Sequence, residues 1–176
     1  MNKKLIELEA RAFNKVKFQK ELSIYEVETI LNTKLPNKYK EILEDFNGSA
    51  ISFEKGAKYI PDISPPIIDS DGYLALDFFY GIIDNNLNIL YQNECYLEQL
   101  PTNLITIGEV LSGDQICFNK LDKSIVYWWH EAPLSDKKTF RIANSFSDFI
   151  AKLEPDDKIE EDLEKKIIMS ESYLDF

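Results

Sequence analysis

Side chains suited to nucleophilic, acid–base or metal chemistry are few and scattered in this chain. The only histidine is His130, and the two cysteines, Cys95 and Cys117, lack paired spacing. Zinc clusters and disulfide frameworks both need such spacing. We interpret His130 and Cys117 as structural residues. A Cys95–Cys117 bridge stays an alternative for an oxidising compartment.

The most suggestive acidic pair is Asp69 and Asp71, which are followed by Gly72 as in part of a calcium loop. The downstream glutamate of an EF-hand is missing, so a turn explains the pair better. Phosphate-loop, dinucleotide, hydrolase and zinc-protease motifs are also absent. The sequence therefore predicts no catalytic residue, no metal and no cofactor. An enzyme using Asp69, Asp71 or His130 is the least favoured alternative.

Composition and charge indicate one domain that avoids nucleic acid. The chain has 176 residues, is 44% hydrophobic and carries a net charge of −11. That charge repels a phosphate backbone, so DNA and RNA are not expected as direct ligands. No apolar stretch approaches the ~20 residues of a membrane span, and the first residues do not form an export signal. We expect a cytoplasmic protein.

Four helices are predicted from capping signals and apolar spacing. Ser23 and Glu26 have the spacing of a capping box. Glycine tolerates the left-handed backbone common at helix ends, so Gly48 suits the end of the next helix. Asp84-Asn85-Asn86 is the predicted cap of a third helix, and Ser145 that of a fourth. With a last helix after Pro155, the predicted ranges are about 24–32, 36–46, 87–97, 146–153 and 159–167.

Strands are predicted where apolar residues alternate or form short runs between turns. Closely spaced strands joined by tight turns favour antiparallel pairing, because parallel neighbours need long crossovers. The fold class is therefore α+β, with a mainly antiparallel sheet flanked by helices. The predicted strands are Ile51–Phe53, Leu74–Ile82, Leu104–Ile107, Gln115–Phe118, Ile125–His130 and Phe140–Ile142.

We divide the chain into three parts. Residues 1–21 are predicted to be an N-terminal helical segment, and residues 22–153 the domain itself. Residues 154–176 are predicted to be an acidic C-terminal helical extension, because nine acids there face three lysines. This charge either keeps a helix face in water or attracts a basic partner.

The order and spacing of several short motifs resemble the SUKH superfamily over about residues 22–153. That superfamily includes fungal cell-wall assembly regulators and many bacterial immunity proteins. The Asp-His-Glu that is common after the second tryptophan is only His130-Glu131 in this chain. The motifs are Leu35-Pro36, Phe46-Asn47-Gly48, Phe79-Tyr80-Gly81-Ile82, Leu100-Pro101-x-x-Leu104-Ile105-x-Ile107-Gly108, Ser112-Gly113-Asp114-Gln115-Ile116-Cys117, Val126-Tyr127-Trp128-Trp129-His130-Glu131 and Ala143-x-Ser145-Phe146-x-x-Phe149-Ile150.

The resemblance implies an immunity protein that binds and neutralises the toxin domain of a polymorphic or contact-dependent toxin system. It implies no catalytic residues. Many such toxin domains are nucleases with basic surfaces, so a basic toxin is the expected partner. A regulatory scaffold that binds cellular proteins is the alternative. We expect a monomer or weak homodimer, and partner-binding residues among exposed acids and nearby aromatics: Asp69, Asp71, Tyr80, Asp84 and Glu94.

Overall fold

The fold is described from a computed structural model that covers residues 2–13, 22–62, 65, 68, 72–110, 112–133 and 136–156. Within these ranges the chain forms seven strands and five helices. None of these helices has the length and apolar character needed to cross a membrane. The elements are α1 (Lys3–Glu7), β1 (Ala10–Ala12), α2 (Ile24–Ile30), α3 (Asn37–Asp45), β2 (Ile51–Tyr59), β3 (Leu74–Phe79), α4 (Ile89–Cys95), β4 (Leu104–Val110), β5 (Gln115–Asn119), β6 (Ile125–Trp128), β7 (Thr139–Ala143) and α5 (Phe146–Ala151).

The seven strands form one antiparallel sheet in the order β1 to β7, so every strand pairs with its sequence neighbours. Side chains alternate between the two faces of a strand. On β4, Ile105 and Ile107 enter the large core, whereas Leu104 and Thr106 lie on the side of α4. The predicted α+β class with an antiparallel sheet is confirmed.

We call the face covered by α2, α3 and α5 the core face. Its centre is aromatic: Phe79 contacts Phe146 and Phe149 edge-on, and the ring of Tyr39 lies 5.4 Å from that of Phe146. The Tyr39 hydroxyl donates a 2.6 Å hydrogen bond to the carbonyl of Tyr80. Edge-on rings of this kind stabilise beyond the apolar area that they bury, so this layer anchors the sheet.

The predicted signals at α2 and α3 are confirmed. Ser23 Oγ accepts from the Glu26 N–H at 3.3 Å, and Glu26 Oε2 accepts from the Ser23 N–H at 2.8 Å, which completes the capping box. Helix α3 ends as expected at Asn47 and Gly48, both with positive φ. The N–H of Gly48 donates to Leu43 O at 2.7 Å, so the left-handed turn also closes a free helix carbonyl.

The N-terminal segment is not helical throughout, which corrects the prediction for residues 1–21. Helix α1 is followed by β1, and Arg11 lies opposite Ser52 on β2. Three residues are too few to produce a recognisable alternation, so β1 left no signal in the sequence. Residues 14–21 are outside the described ranges.

The predicted cap of α4 is also wrong. Asn88, not Asp84-Asn85-Asn86, caps the helix, with its Oδ1 accepting from the Leu90 N–H at 2.7 Å. Asn85 instead accepts from the Leu87 N–H at 2.7 Å. Asparagine forms such local turns as readily as helix caps, and the sequence does not distinguish the two.

The described C-terminal residues belong to the sheet. Glu154 and Lys58 exchange backbone hydrogen bonds of 2.8 and 2.9 Å, and the Asp156 N–H donates to Lys55 O at 3.1 Å. The chain beyond residue 153 is therefore attached to β2 for at least three residues. The helix predicted at 159–167 lies outside the described ranges.

Candidate protein-binding surface

One long stretch of the chain contains acids but no basic side chain. Between Lys58 and Lys120 there is no lysine, arginine or histidine. The nine acids of this stretch account for −9 of the net charge of −11. The fold places the stretch in β3, α4, β4 and β5, at the middle of the sheet. Its acids are Asp62, Asp69, Asp71, Asp77, Asp84, Glu94, Glu98, Glu109 and Asp114.

These acids have different surroundings. Asp62 pairs with Lys152 at 3.0 Å and Asp114 is buried. Asp69 and Asp71, two predicted binding residues, lie outside the described ranges. The remaining five form no ion pair with any described residue and keep some exposure. They are Asp77, Asp84, Glu94, Glu98 and Glu109.

Helix α4 covers part of the second face of the sheet, which we call the open face. The inner side of the helix carries Ile89 and Asn93. At spacings of three and four, Tyr96 and Leu100 continue that side past the end of the helix. Asn93 is a clamp: its Oδ1 accepts from the Thr106 N–H at 2.9 Å, and its Nδ2 donates to Thr106 O at 2.9 Å. The Asn93 side chain thus makes the two backbone hydrogen bonds to Thr106 that a paired strand would make, and it holds the helix to β4.

The end of α4 rests on a second, smaller core. The ring of Tyr96 meets Trp128 edge-on at 5.1 Å, and Trp128 packs with Leu104 and Cys117. Burial raises the pKa of the Cys117 thiol well above its ordinary range. Both cysteines are free, and the buried position confirms Cys117 as a core residue.

The outer side of α4 combines apolar and acidic side chains. Tyr91 is 51% exposed and Leu97, two residues past the helix, is 73% exposed. Glu94 and Glu98 are also exposed. In sequence, Glu94 lies between Tyr91 and Leu97, and Glu98 directly follows Leu97. We call these four residues the α4 surface. Acids around exposed apolar groups form a surface suited to contact a basic protein.

Beside α4, a polar cluster on the open face holds Glu109 in place. Gln115 is fully buried, and its Oε1 accepts from the hydroxyls of Tyr80 and Thr106, each at 2.7 Å. Its Nε2 lies 3.3 Å from Glu109 Oε2, which the Tyr80 hydroxyl also approaches to 3.0 Å. The Tyr80 hydroxyl shares its single proton between Gln115 Oε1 and Glu109 Oε2. Both groups that face Glu109 are neutral, so its negative charge has no positive partner among them.

Asp77 lies near Glu109 at a bulge in β3, where the register with β4 shifts between Leu76 and Phe78. Burial, and secondly the negative charge of Glu109, raise the pKa of Asp77 above its ordinary value. Two carboxylates that repel one another on a partly buried surface favour the approach of a cation. The open face therefore carries two neighbouring carboxylates, those of Asp77 and Glu109, that attract positive charge.

The predicted role of Tyr80 in direct partner contact is wrong. Tyr80 is 0% exposed, and burial followed by the nearby Glu109 charge raises its pKa far above the ordinary tyrosine value. Its position at the end of β3 turns the side chain into the polar cluster instead of outward. Asp84 and Glu94 are exposed as expected, and their part in binding stays a prediction.

His130 is held by Asp114, through both its backbone N–H and its imidazole ring. Asp114 Oδ1 accepts from the His130 backbone N–H at 3.0 Å and lies 2.7 Å from its Nδ1, while Oδ2 accepts from the hydroxyls of Tyr127 and Ser112. In the described part of the chain, no hydroxyl or thiol side chain is bonded to the other ring nitrogen of His130. An Asp–His pair with no described nucleophile in contact fits a role in joining the start of β5 to the end of β6 better than a role in acyl transfer.

Metal ligands are not grouped in the described residues, where no cluster of three or more His, Cys, Asp or Glu side chains could hold an ion. Asp69 and Asp71 lie outside the described residues. The described open face is thus a surface of fixed, unpaired carboxylates next to exposed apolar groups.

The chain belongs to the SMI1 / KNR4 family (SUKH-1), whose profile matches residues 20–152. This family includes toxin immunity proteins. The chain is also similar to the SPbeta prophage-derived uncharacterized protein YokK of Bacillus subtilis (strain 168). The two are 29% identical over 147 residues, which cover 79% of this chain and 76% of that protein.

Proposed function

We propose that this protein is an immunity protein that binds a cognate toxin domain and neutralises it by protein–protein contact. The observation that carries the proposal is the stretch from residue 59 to 119, which contains exposed acids but no basic residue. Membership of a family that includes toxin immunity proteins supports the same reading.

A basic toxin, such as a nuclease, is the partner that this charge favours. Nucleases need positive surfaces to hold nucleic acid, and an acidic inhibitor associates quickly with such a surface. The same charge disfavours direct binding of nucleic acid by the inhibitor itself. Neutralisation then consists of covering the toxin surface, and no chemical step by this chain is required.

We also propose that the protein acts in the cytoplasm. Cys95 is an exposed free thiol and Cys117 a buried one. Free thiols are the usual state in reducing compartments, where disulfides are rare. A cytoplasmic inhibitor meets the toxin where the nucleic acid substrates of a nuclease lie.

The test is co-expression with each candidate toxin domain that is found encoded beside the gene of this chain. We expect growth to be rescued, and an inactive form of the domain to co-elute with the chain in size-exclusion chromatography. An unrelated acidic protein of equal net charge is the control. Absence of both rescue and a complex contradicts the proposal, and a pull-down containing only housekeeping proteins favours a regulatory scaffold.

A further inference from the structure

The α4 surface is unusual because its exposed apolar groups lie on, and just after, a short helix that is hydrogen-bonded to the sheet. Single exposed apolar residues are common and need no explanation. Here two large apolar side chains, Tyr91 and Leu97, are both exposed and close in sequence, and Glu94 lies between them in the chain. An apolar centre beside charged side chains has the composition of a protein interface.

The seat of α4 is rigid before any partner arrives. Asn93 makes two 2.9 Å hydrogen bonds to the backbone of Thr106, and Tyr96 is packed edge-on against Trp128. A surface that is already ordered loses little conformational entropy on binding. The backbone that carries the outer side chains is therefore held in place.

Charge identifies the kind of partner. Glu94 and Glu98 form no ion pair with a described residue, and the nearest basic residues in sequence are Lys58 and Lys120. In a two-fold dimer the same surface of each copy contacts the other. Two copies of this chain that met through the α4 surface would therefore bring their glutamates together. Like charges across an interface are costly, so the partner must supply the cations.

We propose that the α4 surface receives a cationic amphipathic segment of the partner protein, with apolar side chains on Tyr91 and Leu97 and lysine or arginine beside Glu94 and Glu98. This assignment rests on the proposed function for the identity of the partner. It assigns the contact to one side of the domain, away from α2 and α3. The acids of the open face, Asp77 and Glu109, then attract the same partner at longer range.

The first experiment needs no toxin. A synthetic helical peptide of leucine and lysine, with its lysines on one side, is titrated into the full-length 15N-labelled chain. We expect the largest chemical-shift changes at residues 91–98 and their loss in the double variant Glu94→Lys, Glu98→Lys. Changes centred instead on residues 154–176 or on α2 would overturn the assignment, as would self-association through α4 without the peptide.

The second experiment uses the inactive toxin domain described above and two pairs of variants. Tyr91→Ala with Leu97→Ala is expected to weaken binding at least ~30-fold, the effect of losing an apolar anchor. The matched control is Tyr25→Ala with Ile30→Ala, because these residues are 70% and 61% exposed on α2, a helix that covers the core face and not the open face. The control pair is expected to bind like the unchanged protein.

Charge reversal separates steering from contact. Glu94→Lys with Glu98→Lys is expected to slow association about tenfold at low salt, with a smaller difference at high salt. The matched control, Glu41→Lys with Glu44→Lys, reverses two exposed acids of α3. Equal losses in both pairs would overturn the assignment in favour of net charge alone.

The two proposals fail in different ways. If the unchanged protein neutralises the toxin and the α4 variants do so equally well, the assignment of the surface is wrong and the function stands. If the unchanged protein binds no toxin, the function is wrong, and the peptide titration still decides whether α4 receives cationic segments.

Discussion

Two carboxylates, one on each side of the sheet, show how differently the two faces treat negative charge. Glu28 on α2 is almost fully buried and meets Lys34 Nζ at 2.7 Å, Lys40 Nζ at 3.3 Å and the Leu35 N–H at 3.0 Å. Glu109 on the open face is bonded only to neutral donors. One charge is balanced within the protein, and the other is left for something outside it.

The pKa directions agree with this difference. Burial alone would raise the pKa of Glu28, but its contacts with Lys34, the Leu35 N–H and Lys40 outweigh burial and hold the pKa below its ordinary value. On the open face the effect is reversed, since burial and Glu109 raise the pKa of Asp77. The ionised form of Glu28 therefore stabilises the core face. The ionised form of Asp77 destabilises the open face but leaves negative charge there that a partner can contact.

The largest effect is expected where the two regions join, at Gly81. A Cβ added there would collide with Ala50 N and lie 2.5 Å from Gly48 O, both backbone atoms that cannot move aside. Gly81 also exchanges hydrogen bonds with Leu87 and Ile89 at the start of α4. Gly81→Ala should therefore lower the free energy of unfolding by about 3 kcal/mol or more, measured by urea denaturation.

The control for this substitution is Gly72→Ala. Gly72 has a φ of +75° but open space around its Cα, so only backbone strain of about 1 kcal/mol is expected. Similar losses for the two variants would show that close packing at Gly81 does not join the two regions.

The second prediction tests the two carboxylates directly. Glu28→Ala removes the acceptor of the buried Leu35 N–H and the counter-charge of two lysines, and should cost about 2 kcal/mol at pH 7. Glu109→Ala should cost at most about 0.5 kcal/mol, because Tyr80 and Gln115 remain bonded to one another. Urea midpoints of both variants provide the measurement, and equal costs would remove the contrast between the faces.

The pH dependence of the Glu28 contribution has a definite sign. Because its pKa is lower in the folded state than in the unfolded chain, its stabilisation is present at neutral pH and is lost as the pH falls through the folded pKa. The difference between Glu28→Ala and the unchanged protein should therefore shrink in acid. A constant difference would contradict the assigned ion pairs.

The smallest effect, of opposite sign, is expected at Asp77. A carboxyl whose pKa is raised by folding loses stability as the pH rises from its ordinary pKa to the raised value, and the penalty is complete above that value. Asp77→Asn should therefore stabilise the protein at pH 7 by roughly 0.5 kcal/mol, since solvent screens a partly exposed group. Near pH 3 the two proteins should unfold alike.

The opposite case, Asp122→Asn, is the control for Asp77. Hydrogen bonds from the Ser124 hydroxyl and N–H hold the pKa of Asp122 below its ordinary value. Its substitution should destabilise at neutral pH and not in acid. A stabilising Asp122→Asn, or a destabilising Asp77→Asn, would contradict the electrostatic description of that site.

Local signals in the sequence predicted the elements whose ends are fixed by their own residues. The Ser23 capping box and the Gly48 helix end are examples, and the alternation on β6 correctly placed Tyr127 and Trp128 on opposite faces. The failures have two causes. The strand β1 and the burial of Tyr80 depend on contacts with residues distant in sequence, whereas Asn85 and Asn88 make similar local hydrogen bonds that the sequence does not distinguish.

The candidate surface was predicted only in part. Asp84 and Glu94 were identified from charge, whereas nothing in the sequence distinguishes the exposed Tyr91 and Leu97 from the buried apolar residues of a helix. Only the Asn93 clamp reveals which side of α4 faces the sheet. The absence of basic residues from 59 to 119 is visible in the sequence and was the signal that could have identified the region.

That absence also determines which reagents can report on this region. Trypsin cuts after lysine and arginine, so it can release residues 59–120 only as one fragment that carries β3, α4 and β4 together. Amine-reactive cross-linkers have no side chain to modify between Lys58 and Lys120. Carbodiimide coupling, which joins carboxylates to lysines without a spacer, would instead attach the region only to lysines brought from elsewhere.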